Sequence, residues 1–490
     1  MYNRLNQYRC IIIRGKSQKE IDDLLPAYAK VIDDITPCEE GVFAKKFNEL
    51  LSPYLSADKR IKKTLDNHRT EIAGKLFGMY YLEDNGYVYA SDRTKKFLKD
   101  NDQPAFFKDL CYKMQFPNGM QKPQTFQPLL DNGICIRPNA FVLRVLQLAL
   151  SKHMILTKKE IGYYILNSLD VLRGVAVPEE VIEAIEKDRE QGIVRKIETD
   201  GKASSYNYQH INEQINYLEL ANLIYTNSVG EVWLNENEHD TIQIFSSDWN
   251  KKPEFDVYAY DLSNSEGRKH FEREWTIYFG KLSDKASKFD TTASALGVSD
   301  ELPKKKEAKG QTTVEIGDEG EAYVFEYEKN RVYTFNPRLV NRVLSWGKTK
   351  GLGYDIQSVV AEKGDKSDFA KYIEVKSTKR VTEPNLSDVY WMDTLNITRN
   401  EWIAAQQHGE FYCIYRVYFV RGRIIMYVIN NIHQKQIDNK IDVVPLTYRI
   451  DFGKDAGRCG KERCQFFLCI KALQHQKQFL LLQQMHMFTK

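Results

Sequence analysis

Gly351-Leu-Gly-Tyr-Asp355-Ile and, further on, Ile373-Glu374-Val-Lys376-Ser form the most informative segment of this chain. Glu374 and Lys376 lie two apart in an apolar run. On a strand they therefore point to one face, while Ile373 and Val375 point to the other. If the strand bearing Asp355 pairs beside this one, two carboxylates and a lysine meet at one spot. That is a metal-and-base arrangement suited to phosphodiester hydrolysis.

The surroundings of this segment give the order of elements. Gly317-Asp-Glu-Gly-Glu321-Ala-Tyr-Val-Phe reads as a helix, and a second helix is expected over Arg338 to Ser345. The runs Tyr354 to Val360 and Tyr372 to Val375, separated by a Gly364-Asp turn, read as strands. Thr398-Arg-Asn-Glu401 is a capping box opening a helix through Ala405, and two long strands follow, Phe411 to Val420 and Arg423 to Ile429.

This order, with Asp355 and Glu374-Val-Lys376, resembles the PD-(D/E)xK nuclease superfamily. More narrowly, residues 315–430 resemble the Mrr-like family first named for the plant protein NO VEIN. The matching features are Gly-Glu321, Gly353-Tyr-Asp355-Ile, Tyr372-Ile-Glu-Val-Lys376, Asn400-Glu401-Trp402 and Tyr415-Arg-Val-Tyr418. Gly-Tyr stands before Asp355 where the superfamily's name has proline. The resemblance implies an α/β restriction-endonuclease-like fold with a mixed central sheet. It also implies that Asp355 and Glu374 hold Mg²⁺ and that Lys376 orients or deprotonates the attacking water. Glu321 is either an extra catalytic carboxylate or a helix N-terminal residue interacting with the dipole. Trp391, Trp402, Tyr412, Tyr415 and Tyr418 read as core.

At 490 residues the chain exceeds one core, and length alone gives about two to four domains of roughly 100 to 200 residues. Apolar content of 42% and charged content of 28% are those of an ordinary globular protein. A net charge of +3 gives little bias toward nucleic acid, although lysines cluster at Lys304-Lys-Lys306 and around Lys348-Thr-Lys350. No apolar run approaches the length of a membrane span, and Met1 to Arg9 lacks a signal peptide's apolar stretch, so a cytoplasmic protein is expected. The 8 cysteines contain no CxxC pair, against a disulfide framework; Cys459, Cys464, Cys469 and His475 have poor zinc spacing.

The N-terminal part is expected to be mostly helical. A short strand over Cys10 to Ile13 precedes helical periodicity in Lys19 to Ile35, Glu40 to Leu55 and Arg60 to Phe77. Met79-Tyr-Tyr-Leu and Tyr87-Val-Tyr-Ala flank an Asn85-Gly86 turn, a hairpin signal. The same layout recurs: a capping box at Thr157 to Glu160, helices after Pro178 and over Ile211 to Leu223, then Ile224-Tyr-Thr and Glu231-Val-Trp-Leu around Asn227 to Gly230. Helices followed by a small hairpin are the layout of a winged helix, which serves DNA recognition or protein contact.

The expected domains are 1–130 and 131–245, both winged-helix-like and DNA-recognising, a connector with a charged linker over 246–314, a nuclease domain over 315–450, and a tail of undecided structure over 451–490. Two phosphate-loop lookalikes fail. Arg342 stands where Gly347-Lys348-Thr349 needs a glycine, and Ile356 where Gly351-Leu-Gly353 needs its third. His408 and His433 are not adjacent to the triad in sequence.

The expected function is a Mg²⁺-dependent, site-directed endonuclease of double-stranded DNA, with a transient homodimer for double-strand cleavage. Its separation of recognition from cleavage loosely resembles type IIS restriction enzymes of the AlwI kind. The alternative is a DNA-binding or defence-complex subunit whose nuclease-like domain is regulated by a partner or structural.

Overall fold

The computed structural model describes residues 7–11, 16–121, 123–197, 203–303, 319–346, 351–361, 368–444 and 449–459. They fall into two compact units, Met1–Ser299 with Lys379–Pro384, and Asp300–Thr378 with Asn385–Lys490. The polar linker from 304 onward, both lysine clusters, the Gly364-Asp turn and residues 460–490 lie outside the described residues. So does the second half of the strand expected at Cys10 to Ile13. No helix among the described residues is long and apolar enough to cross a membrane.

The first unit is helix-rich. Its opening helix, Gln18–Ile35, starts at Ser17, whose hydroxyl accepts the Glu20 N–H, and buries Ile21, Leu24, Leu25 and Tyr28 along one face. Both expected hairpins form, and each gains a third strand from the extended backbone just before a helix. β1 (Cys38–Glu39), β2 (Tyr80–Leu82) and β3 (Tyr87–Ala90) order as β1-β3-β2, and Gly86 supplies the left-handed φ of +76° that the turn needs. β4 (Leu156–Thr157), β5 (Ile224–Thr226) and β6 (Glu231–Leu234) order as β4-β6-β5.

Residues 246–299, the first part of the expected connector, fall within this unit. The helix Ser265–Gly280 buries Phe271, Trp275 and Phe279, and Trp275 lies so close to Gly119 that a Cβ there would sit 2.2 Å from the indole. Deep in the unit, Lys108 pairs with Glu238 at 2.6 Å and Arg93 with Asp109 at 3.0 Å.

The second unit carries a six-stranded sheet. The helix Glu319–Phe335 leads, followed by β7 (Leu344–Ser345), β8 (Ile356–Val359) and β9 (Ala370–Arg380). After β10 (Asp393–Asn396) come the helix Arg399–His408, β11 (Tyr412–Val420) and β12 (Arg423–Asn430). The helix Ile432–Ile437, β13 (Ile441–Val444), β14 (Arg449–Phe452) and β15 (Arg458–Cys459) complete it. The large sheet runs β15-β12-β11-β9-β8-β7, and a small second sheet runs β10-β14-β13.

The helix expected over Arg338 to Ser345 is a correction. Pro337–Arg342 forms a 3-10 turn capped by the Asn336 side chain, and Leu344–Ser345 is a strand. The Trp346 N–H donates to the Asp355 carbonyl at 2.9 Å, so this segment pairs with the edge of β8 instead of coiling.

Candidate active site

β8 and β9 are antiparallel with Ile356 opposite Ile373 and Val359 opposite Ala370. Extended by one residue, that register sets Asp355 across from Glu374. Two hydrogen bonds fix the placement: the Asp355 N–H donates to the Ile373 carbonyl at 2.9 Å, and the Val375 N–H donates to the Asp355 carboxylate at 2.8 Å. Strand alternation puts Tyr372, Glu374 and Lys376 on one face. Lys376 Nζ lies 2.6 Å from Glu374 Oε1. The three residues expected to meet are therefore brought together.

The Arg399–His408 helix covers this face. Its C-terminal His408 stacks on Tyr372 with ring centroids 3.7 Å apart, and its first turn brings Glu401 Oε2 to 3.0 Å from Lys376 Nζ. Gly353, at φ +78°, allows the helix to approach: a Cβ there would lie 2.5 Å from the Asn400 carbonyl oxygen. Tyr412 donates its hydroxyl to the Gly353 carbonyl at 3.0 Å, which ties the turn before Asp355 to β11.

Burial pushes the Glu374 carboxyl well above the usual carboxylate range; Lys376 opposes this, while Asp355 and Glu401 add to it. Burial works against a charged Lys376, but Glu374 and Glu401 outweigh it and hold the ammonium above its ordinary value. Glu374 and Glu401 thus share Lys376, while the Asp355 carboxylate accepts the Val375 N–H beside them. Among the described residues no group of three or more histidine, cysteine or carboxylate side chains is placed to hold a metal ion.

Sequence reasoning missed the anchor beneath Lys376. Arg416, buried in β11, donates to the Lys376 and Ser377 carbonyls at 3.4 and 3.2 Å and to Asp393 at 2.8 Å. Tyr418 donates to the same carboxylate at 2.7 Å. The signal was available: an arginine inside a nine-residue strand that is otherwise apolar must have buried partners. Tyr415, Tyr418, Trp391 and Trp402 are core residues, as expected.

On the opposite sheet face, Lys371 and Tyr415 meet Glu328 of the Glu319–Phe335 helix. Glu321 lies half-buried in the first turn of that helix. The helix docks through Glu328 on the face that carries Lys371, not the face that carries Glu374 and Lys376.

The family model described as "Restriction endonuclease BpuJI - N terminal" matches residues 2–276, and the one described as "Protein NO VEIN, C-terminal" matches residues 320–429. No curated protein matches the chain. Among solved structures, the chain is similar to that in the "Crystal structure of pyrene- and phenanthrene-modified DNA in complex with the BpuJ1 endonuclease binding domain". The two are 48% identical with a TM-score of 0.55, over 57% of this chain and 100% of that one. With more than half of its length matched by the first model, this chain belongs to the BpuJI restriction endonuclease family.

Proposed function

We propose that the chain is a Mg²⁺-dependent, site-directed DNA endonuclease whose first unit recognises duplex DNA and whose second unit hydrolyses a phosphodiester. The observation that carries this is the β8–β9 register, which sets Asp355 beside Glu374 and Lys376. The helix-flanked six-stranded sheet is read as a restriction-endonuclease-like fold. The two three-stranded hairpin sheets of the first unit are read as winged-helix-like. The likeness of residues 2–276 to a restriction endonuclease's N-terminal domain, and to a binding domain solved with DNA, supports the recognition role.

Asp355 and Glu374 fit Mg²⁺ by their chemistry. That cation is held by one or two carboxylates and takes substrate oxygens for the rest, and here Asp355 lies across from Glu374, whose carboxylate shares Lys376 with Glu401. Bound there, Mg²⁺ would supply Lewis-acid polarisation of the phosphate and a more acidic water. Lys376 would orient the attacking water and offset the negative charge that grows on the phosphate oxygens. Of the two readings of Glu321, the helix N-terminal residue interacting with the dipole is kept, because its helix docks through Glu328 on the other sheet face. A transient homodimer would let two such sites cut both strands.

The test is incubation of purified protein with plasmid and phage DNA, with Mg²⁺ or with EDTA, followed by end mapping. Fixed ends that require Mg²⁺ support the reading; intact DNA under all conditions refutes it. A fragment ending at Ser299 should bind duplex DNA with a negative slope of log affinity against log salt. A fragment indifferent to DNA would refute the recognition role.

A further inference from the structure

We infer that Glu401 is a positioning residue for Lys376, holding its ammonium in place when Glu374 turns to a cation; this rests on the nuclease reading of the site. Lys376 has two carboxylate partners, Glu374 Oε1 at 2.6 Å and Glu401 Oε2 at 3.0 Å. Glu374 cannot serve two cations equally. When it ligates a metal, its hold on Lys376 weakens, and a lysine on a flexible four-carbon stem would drift. Glu401 is not one of the two residues proposed to hold the cation. Its carboxylate is fixed by its own helix: Oε2 accepts the Thr398 N–H at 2.8 Å, and the Glu401 N–H donates to Thr398 Oγ1 at 3.3 Å.

The helix is itself held at three points close to the site. Asn400 packs on Gly353, Trp402 is buried, and His408 stacks on Tyr372. The position of the Glu401 carboxylate is thus set by backbone packing and not by the occupancy of the site. The same oxygen that closes the helix cap also holds the lysine. A capping box by itself explains only the first of these contacts.

The two duties separate cleanly by substitution. Glutamine closes a capping box as glutamate does, so Glu401→Gln keeps the cap and removes only the charge. Thr398→Ala weakens the cap and leaves the charge. The charge-assisted contact to Lys376 makes Glu401→Gln about 10- to 100-fold slower in single-turnover plasmid cleavage, with DNA affinity, Ca²⁺ affinity and Tm unchanged. Thr398→Ala lowers Tm but keeps the backbone N–H that Glu401 Oε2 accepts and the charge on Glu401, so it loses less cleavage than Glu401→Gln. A purely structural Glu401 gives the reverse pattern.

A readout independent of turnover is the crystal structure of the full chain with Ca²⁺. Lys376 Nζ stays in hydrogen-bond contact with Glu401 in the wild type and leaves that position in Glu401→Gln. Wild-type cleavage with an equally active Glu401→Gln overturns the assignment and leaves the nuclease reading standing, and so does a Ca²⁺ complex in which Lys376 has left Glu401. Absence of wild-type cleavage overturns both.

Discussion

Glu328→Gln should destabilise the second unit by about 3 kcal/mol at pH 7, and the loss should vanish in acid. The Glu328 carboxylate is fully buried and accepts from Arg331 at 2.9 and 2.8 Å and from the Tyr415 hydroxyl at 2.6 Å, with Lys371 at 3.6 Å. Burial alone would raise its pKa, but Lys371 and Arg331 overcome that and bring it from 4.5 to about 2. A folded value of about 2 against 4.5 corresponds to roughly 3 kcal/mol, at about 1.36 kcal/mol for each tenfold change in proton affinity. Removing one partner of a buried ion pair costs about 3–5 kcal/mol, which agrees. Because the folded pKa is depressed, this stability is present in full above the unfolded value of 4.5 and is lost as pH falls toward about 2. Urea titrations followed by hydrogen exchange at the β11 amides, on both proteins at pH 7 and pH 2.5, measure it. An equal difference between the two proteins at both pH values would refute the reasoning.

Arg416→Met should cost about 3–5 kcal/mol by leaving Asp393 buried without its cation. It should also slow cleavage, since the carbonyls of Lys376 and Ser377 lose their anchor; thermal melts and single-turnover rates check both. Gly353→Ala should lower Tm and cut the cleavage rate while DNA affinity holds, because the left-handed backbone and the Asn400 carbonyl leave no room for a methyl group. Wild-type activity in that variant would mean the helix can retreat without disturbing Asp355.

Much of the second unit could be read from the chain because its signals are local. Alternation placed Glu374 and Lys376 on one face, and the Thr398 box marked its helix. The apolar runs gave β11 and β12, and in the first unit the Asn85-Gly86 turn gave the first hairpin. What escaped were contacts between residues distant in sequence. Glu401 reads as a cap until β9 is folded against its helix, and Asp393 carries no pattern at all. Glu328 looks like any exposed helical glutamate until Tyr415 and Lys371 close over it. The strand at Leu344 was missed because its pairing with β8 is tertiary and overrides a helical periodicity. The family of the first 276 residues was equally hidden, since hairpins and helices recur in many folds and no short motif marks this one.

Whether Asp355 and Glu374 cut DNA is most directly decided by plasmid cleavage with wild type, Asp355→Asn and Glu374→Gln in Mg²⁺, with DNA binding measured alongside. The account predicts Mg²⁺-dependent cleavage by wild type, at least about 1,000-fold less by either variant, and equal DNA affinity in all three. Cleavage by either variant at the wild-type rate would contradict it.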